Sequence, residues 1–422
     1  MPRAALIAVA AIALASGVAA CGDDDSASGG RVTLNWFIFN EPSAAPQKIA
    51  ERCSQQSNGA YDINFEFLPS QADQQREQLV RRLGAEDPSL DLLGLDVVWT
   101  GEFANAGWLE PVPPDTEQKV TANVFQSVLE TASFEDELVT VPIWSNTQLL
   151  WYRKDRVPNA PKTWDEMIDM GEKIGRAEGR IQVQGNRYEG LVVLVNQLIE
   201  SAGTSILAGQ TEVRLDEEPA KKALGIIGRL SKSPAAAPNI TTSTEDTARL
   251  GFEGGDSSFQ INYPFVYPSA KENAPDVFKQ MGVAQFPAVE AGKPSKPPIG
   301  GINIGVSAFS KHKEQAFAAI ECLVQPDNQL EVATLGGLPP VREDLYDQPE
   351  MNKVYPGFAN QIRDAIRNAA PRPSQSPAYQ DLSLAIQRAV HPTTKIDPRN
   401  PQATYDTLRD NVEKAVKREG LL

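Results

Sequence analysis

The chain predicts an α/β fold built as two domains. Three observations predict it. Strand and helix patterns alternate through residues 32–99. The first strand-like run is apolar on both faces, as a strand covered by helices on either side is. Past an N-terminal leader about 390 residues remain, more than one hydrophobic core fills.

The elements follow in order. Val32 to Phe39 reads as a buried strand, and Pro46 to Gln56 as a helix carrying Ile49 and Cys53 on one face. Ile63, Phe65 and Phe67 alternate with polar residues, a second strand. Gln74 to Gly84 is an amphipathic helix with Leu79, Val80 and Leu83, and Leu92 to Trp99 is a third strand. Strand, helix, strand, helix, strand is the pattern of an open parallel sheet, whose ligands bind outside the carboxyl ends of its strands. Those ends hold Asn40, Glu41 and Trp99-Thr100.

A second block begins near Val141-Pro142. Trp144 to Tyr152 reads as one strand. Thr163-Trp164-Asp165-Glu166 is a capping box opening a helix to about Ala177, with Trp164 in the core. Helices are expected at Leu191 to Ala202, Pro219 to Leu230 and Glu314 to Val324, and strands at Ser257 to Asn262 and Gly300 to Val306. Pro287 to Pro298 is a loop, Gly336-Gly337-Leu338-Pro339-Pro340 a break, and the last third is helical around a loop at Pro371-Arg372-Pro373.

The leader has the marks of a bacterial lipoprotein signal. Arg3 is positive, Ala4 to Ala15 is a short apolar run, and Val18-Ala19-Ala20 places small residues before Cys21. The run is shorter than the roughly 20 residues of a spanning helix. Residues 22–30 are polar and Gly/Ser-containing, as a tether is. The expectation is a lipidated Cys21 and an extracytoplasmic protein; the alternative is a plain secretory signal with an incidental cysteine.

Composition excludes several classes. A net charge of -15 argues against nucleic acid and anionic lipid, which select clustered Lys and Arg. His312 and His391 are the two histidines, and neither has a Cys or His at metal-ligand spacing, so neither a His-based zinc site nor a Ser-His-Asp triad is well supplied. No metal or cofactor is expected. Besides Cys21, Cys53 and Cys322 remain, as one disulfide or as two buried free thiols.

Polar residues beside aromatics or glycines mark strand ends: Asn40-Glu41, Asp96 near Trp99, Trp144 with Asn146, and Asn262-Tyr263. Sugars need such a mixture, with aromatic faces for pyranose C–H faces and charged groups for hydroxyls. Several stretches resemble the solute-binding lipoproteins of carbohydrate ABC importers. They include Glu77 to Leu83, Leu95 to Ala104, Asn146 to Arg153, Glu189 to Val193, Asn262 to Val266, Ile299 to Gly301, Gly336 to Pro339, and Arg372-Pro373 with Tyr379-Gln380. Within that family the chain looks most similar to the trehalose-binding lipoproteins of actinobacterial trehalose-recycling importers.

The resemblance implies a two-lobed periplasmic-binding-protein fold, each lobe a sheet flanked by helices, with a sugar clamped between. It implies a first lobe of residues 31–145 with 300–342 and a second of 146–299 with 343–422. It implies Asp96 and Arg76 on sugar hydroxyls, with Asn40 and Glu41 beside them. Trp144 and Asn146 approach from the hinge, and Glu189 and Tyr263 from the second lobe. Gly301 and Gly337 allow close backbone approach, Ile302 is a flat apolar wall, and Arg372 reaches in from its loop. It also returns the helix of Cys322 to the lobe of Cys53, so the two are expected to pair. The implied role is a non-enzymatic, monomeric carrier that delivers a disaccharide, trehalose first, to a permease driven by a cytoplasmic ATPase. Maltose, a maltooligosaccharide or a glycerophosphodiester are alternative ligands. A secreted glycoside hydrolase using Glu41 and Asp96 is the alternative class.

Overall fold

The computed structural model describes residues 31–418. The expected lipoprotein signal, Cys21 and the expected tether lie outside the described residues. Two sheets organise the described chain. The first runs Tyr61–Leu68, Val32–Phe39, Leu92–Asp96, Gly300–Ser307, with Leu109–Glu110 and Val141–Asn146 both pairing along Gly300–Ser307. Val32–Phe39 is parallel to both its neighbours, as the alternating pattern predicts, whereas Gly300–Ser307 is antiparallel to Leu92–Asp96. The second sheet runs Met281–Ala284, Leu149–Arg153, Ser257–Asn262, Arg180–Gln182.

Val32–Phe39 is buried on both faces. Leu34, Trp36 and Ile38 join one core with Ile49, Cys53 and Ile320; Phe37 joins another with Leu79, Leu83 and Phe103. The outer strand Tyr61–Leu68 leaves Phe67 exposed against Phe65. A third core lies around the second sheet, with Trp164 fully buried in it against Phe286. A fourth is shared: Phe125 and Val128 pack there with Leu149 and Trp151 of the second sheet and with Tyr346, Tyr355 and Phe358. Cys53 and Cys322 are disulfide-bonded, their Cα atoms 5.8 Å apart, and tie the Ala45–Gln56 helix to the Lys313–Leu323 helix.

Three local expectations change. The third strand stops at Asp96 rather than Trp99: the Asp96 carboxylate accepts from the Val98 N–H, and its carbonyl from the Trp99 N–H, turning the chain into the Thr100–Asn105 helix. The single strand expected over Trp144 to Tyr152 is two. Val141–Asn146 belongs to the first sheet and Leu149–Arg153 to the second. The chain crosses between sheets at Thr147-Gln148, where the Gln148 side chain is held in a buried row of amides with Gln184 and Gln197. The third change is at Thr163, which caps the Trp164–Ile174 helix by accepting from Glu166 N; the Glu166 carboxylate closes back on Lys162 N instead of the cap residue.

Candidate functional site

A cavity of about 680 Å³ opens between the two sheets. Its first-sheet wall comes from the ends of Val32–Phe39 and Leu92–Asp96 and from the hinge-side pair Val141–Asn146 and Gly300–Ser307, as the strand-end rule requires. Its second wall comes from the start of the Glu189–Ala202 helix, the Glu245–Glu253 helix and the turn after Asn262.

Of the residues expected in the site, Glu41, Asp96, Trp144, Asn146, Glu189, Tyr263, Gly301, Ile302 and Arg372 line this cavity. Asn40 does not; it is exposed beside Glu41 and accepts from Gln47. Arg76 does not either. Its guanidinium forks onto Glu102, with Nε 2.8 Å from Oε2, on the Ala72–Leu83 helix. Gly337 stands one residue beyond lining Gly336. It caps the Pro326–Gly336 helix at φ 63°, and a Cβ there would meet Pro268 at 2.9 Å. Gly301 is required by strand packing: at φ 132°, a Cβ would lie 2.3 Å from the Trp144 carbonyl oxygen.

Arg372 is the centre of the site. Its side chain is 4% exposed and joins two carboxylates from opposite walls. Nη2 is 3.0 Å from Asp96 Oδ1, and Nη1 is 2.5 Å from Glu189 Oε1. Burial disfavours its charge, but Asp96, Tyr379 and Glu189 more than offset that and hold its pKa well above the ordinary value. Glu189 opens its helix, where a negative charge suits the dipole. Burial still raises its pKa, against the lowering effect of Arg372. Both of its oxygens are engaged, by Arg372 and Tyr379 on one and Ser383 on the other. Burial, with the Asp96 charge adding to it, raises the pKa values of Tyr263 and Asp73.

Glu41 is nearly buried, accepts from the backbone and side chain of Ser43, and has its pKa raised by burial. Trp144 is 3% exposed and stands edge-on to Phe39 with ring centroids 6.3 Å apart; with Ile302 it forms an apolar wall rather than an open stacking platform. Sequence reasoning missed a second polar pair on the far wall. Tyr188 donates to Glu245 at 2.6 Å, and burial raises both pKa values. Tyr188 adjoins Glu189 in sequence, and Glu245 follows Thr244, the N-cap of its helix, which was the available signal. Arg249 also lines the cavity and is held by Glu253, Ser269 and Asp246. Among the described residues no group of three or more His, Cys, Asp or Glu is placed to hold a metal.

Residues 39–330 match the model of the bacterial extracellular solute-binding protein family. The chain belongs to that family. A relative of similar sequence covers 77% of the chain, and solved structures of the same fold cover 91–92%. A "Probable ABC transporter-binding protein" of Deinococcus radiodurans is 28% identical over 344 residues, 77% of this chain and 80% of that protein. A maltose-bound MalE3 of T. maritima is 28% identical, with a TM-score of 0.81 over 92% of this chain and 99% of that one. A Thermotoga lettingae ABC transporter solute-binding protein bound with α-D-tagatose has the same fold, at 23% identity, a TM-score of 0.79, and 91% and 100% coverage. This solute-binding protein thus has the two-lobed periplasmic-binding-protein fold, and the cavity lies between its lobes. No helix among the described residues is long and apolar enough to cross a membrane.

Proposed function

We propose that this solute-binding protein captures a disaccharide, trehalose first, in the cleft and delivers it to an ABC permease driven by a cytoplasmic ATPase. A lipid on Cys21 would hold it to the outer face of the membrane as a monomer. Ligand contacts made only in the closed state would shift the lobes toward closure. The observation that carries this reading is the charge and shape of the cavity. Its volume suits a small ligand. Its walls combine apolar faces, from Phe39, Trp144, Ile302 and Phe265, with hydroxyl-binding groups, from Glu41, Asp96, Asn146, Tyr263 and Arg372. Trehalose is favoured by the sequence resemblance, and sugar is the solute in the maltose- and tagatose-bound relatives.

The same walls disfavour an anionic ligand. The carboxylates Glu41, Asp96, Glu189, Glu245, Asp246 and Glu272 surround the cavity, and its guanidiniums, Arg249 and Arg372, are already held by carboxylates. A glycerophosphodiester would face uncompensated negative charge. Calorimetric titration with trehalose, maltose, maltotriose and a glycerophosphodiester tests the reading. Trehalose should bind tightest and the phosphodiester not at all; a phosphodiester that binds best would overturn it. Release of glucose from trehalose during the same incubation would move the protein to the hydrolase class.

A further inference from the structure

The Tyr379–Val390 helix carries a buried polar stripe that capturing a sugar does not by itself explain. Tyr379, Ser383 and Gln387 lie one turn apart, and each is at most 2% exposed. Buried polar groups on a core helix are costly unless fully bonded. Here they are bonded toward one target. Gln387 Nε2 donates to Ser383 Oγ at 3.1 Å, which leaves the Ser383 hydroxyl hydrogen for Glu189 Oε2 at 2.6 Å. The Tyr379 hydroxyl donates to Glu189 Oε1.

We propose that Tyr379 and Ser383 are positioning residues for ligand capture: they fix the Glu189 carboxylate, and through it aim the Arg372 guanidinium across the cleft. The inference rests on reading the cleft as a disaccharide site.

Four anchors define the aim. Glu189 holds Nη1 from the second lobe, and Asp96 holds Nη2 from the first. The backbone just beyond Arg372 is pinned to the first lobe. Gln375 Nε2 donates to the carbonyls of Glu130 and Ser133 at 2.7 and 2.8 Å, and Ser374 packs so close to Gly101 that a Cβ there would fall 2.6 Å from the Ser374 carbonyl oxygen. On the second-lobe side, Asn196 donates to the Pro371 carbonyl. Arg372 Nε is buried with no protein partner and belongs to a side chain that lines the cavity. A guanidinium so constrained loses little freedom when a hydroxyl arrives.

The groups facing Glu189 are Arg372, Tyr379, Ser383, Tyr263 and Asp96. Tyr379 and Ser383 favour its charged form by donating to it. Without them Glu189 takes up its proton at higher pH and releases Arg372. Trehalose affinity, which needs the Glu189 carboxylate, should therefore fall with decreasing pH, and at a higher pH in the variant.

The experiment is a calorimetric cycle on the full chain with trehalose as probe, comparing the parent, Tyr379→Phe/Ser383→Ala, Arg372→Ala and the triple variant. The double variant should bind about tenfold more weakly at neutral pH, the loss expected for one charged hydrogen bond, with its pH midpoint displaced upward. In the Arg372→Ala background the same pair of changes should cost nothing further. Parent-like affinity and pH profile in the double variant, or an undiminished loss in the Arg372→Ala background, would overturn the proposal. Should the double variant not fold, Ser383→Ala and Ser383→Thr serve instead, the first weakening binding and the second restoring it; equal affinities sink the idea. If the parent takes no trehalose, the disaccharide reading fails by itself. The network is then read in the ligand-free protein from melting temperature against pH. Because the folded pKa of Glu189 is raised, stability falls as pH rises through it. The double variant should extend that fall to higher pH and Glu189→Gln should remove it; coincident profiles would refute the network.

Discussion

The family resemblance implies a sugar contact for both Arg76 and Arg372, and the fold gives the two residues different partners. Arg76 lies on the Ala72–Leu83 helix, its side chain 17% exposed, forked onto the single carboxylate of Glu102. Arg372 sits between two prolines, 4% exposed, with one carboxylate from each lobe on its two terminal nitrogens. The first pair lies outside the cavity. The second joins the cavity's two walls. What separates them is not charge or motif but which long-range partners burial brings within reach.

The largest effect should come from Arg372→Ala. It leaves Asp96 and Glu189 facing each other without a countercharge, and breaking a buried pair costs about 3–5 kcal/mol. Thermal denaturation should show a clear loss of stability in the free protein as well as weaker sugar binding. A melting temperature equal to the parent's would mean the pair contributes nothing to folding. Arg372→Lys sharpens the point. It keeps the charge but not the planar fork, so it should recover part of the stability while still losing about 1.5–3 kcal/mol of binding, measured by calorimetry.

Glu200 offers a third case, a carboxylate whose burial outweighs its attraction to Lys296 and Arg214, so that its pKa is pushed up to about 7. Between the unfolded value near 4.3 and that raised value the folded state holds a proton the unfolded state has lost. Stability should therefore fall as pH rises across that window, by on the order of 2 kcal/mol. Glu200→Gln should flatten this part of the profile of unfolding free energy against pH. An unchanged slope would assign it to other groups.

The smallest effect should come from Arg76→Ala. A partly exposed pair within one lobe is worth about 0–1 kcal/mol, and trehalose affinity should be that of the parent.

The same contrast shows what was legible in the chain. Local signals carried the elements: Val32–Phe39 and Ser257–Asn262 stand at the boundaries read from their apolar runs, and Thr163 caps the helix its motif announces. Where the chain changes sheet, no local signal exists. Thr147-Gln148 contains neither Gly nor Pro, and only the side-chain partners Gln184 and Gln197 mark it. The site divides in the same way. Asp96 was visible as a carboxylate within an apolar strand, near Trp99. That Glu102, 26 residues on, takes Arg76, and that Glu189, 183 residues back, takes Arg372, are facts of packing. So too is the Tyr188–Glu245 pair on the far wall.

The cleft is proposed as the sugar site, with Arg372 and not Arg76 reading the ligand. Titrating trehalose into the parent, Arg76→Ala and Arg372→Ala proteins under one buffer tests it most directly. The parent and Arg76→Ala should bind alike, and Arg372→Ala should bind about 10- to 150-fold more weakly, the equivalent of a charged hydrogen bond. Equal affinity in all three, or a loss confined to Arg76→Ala, would contradict it.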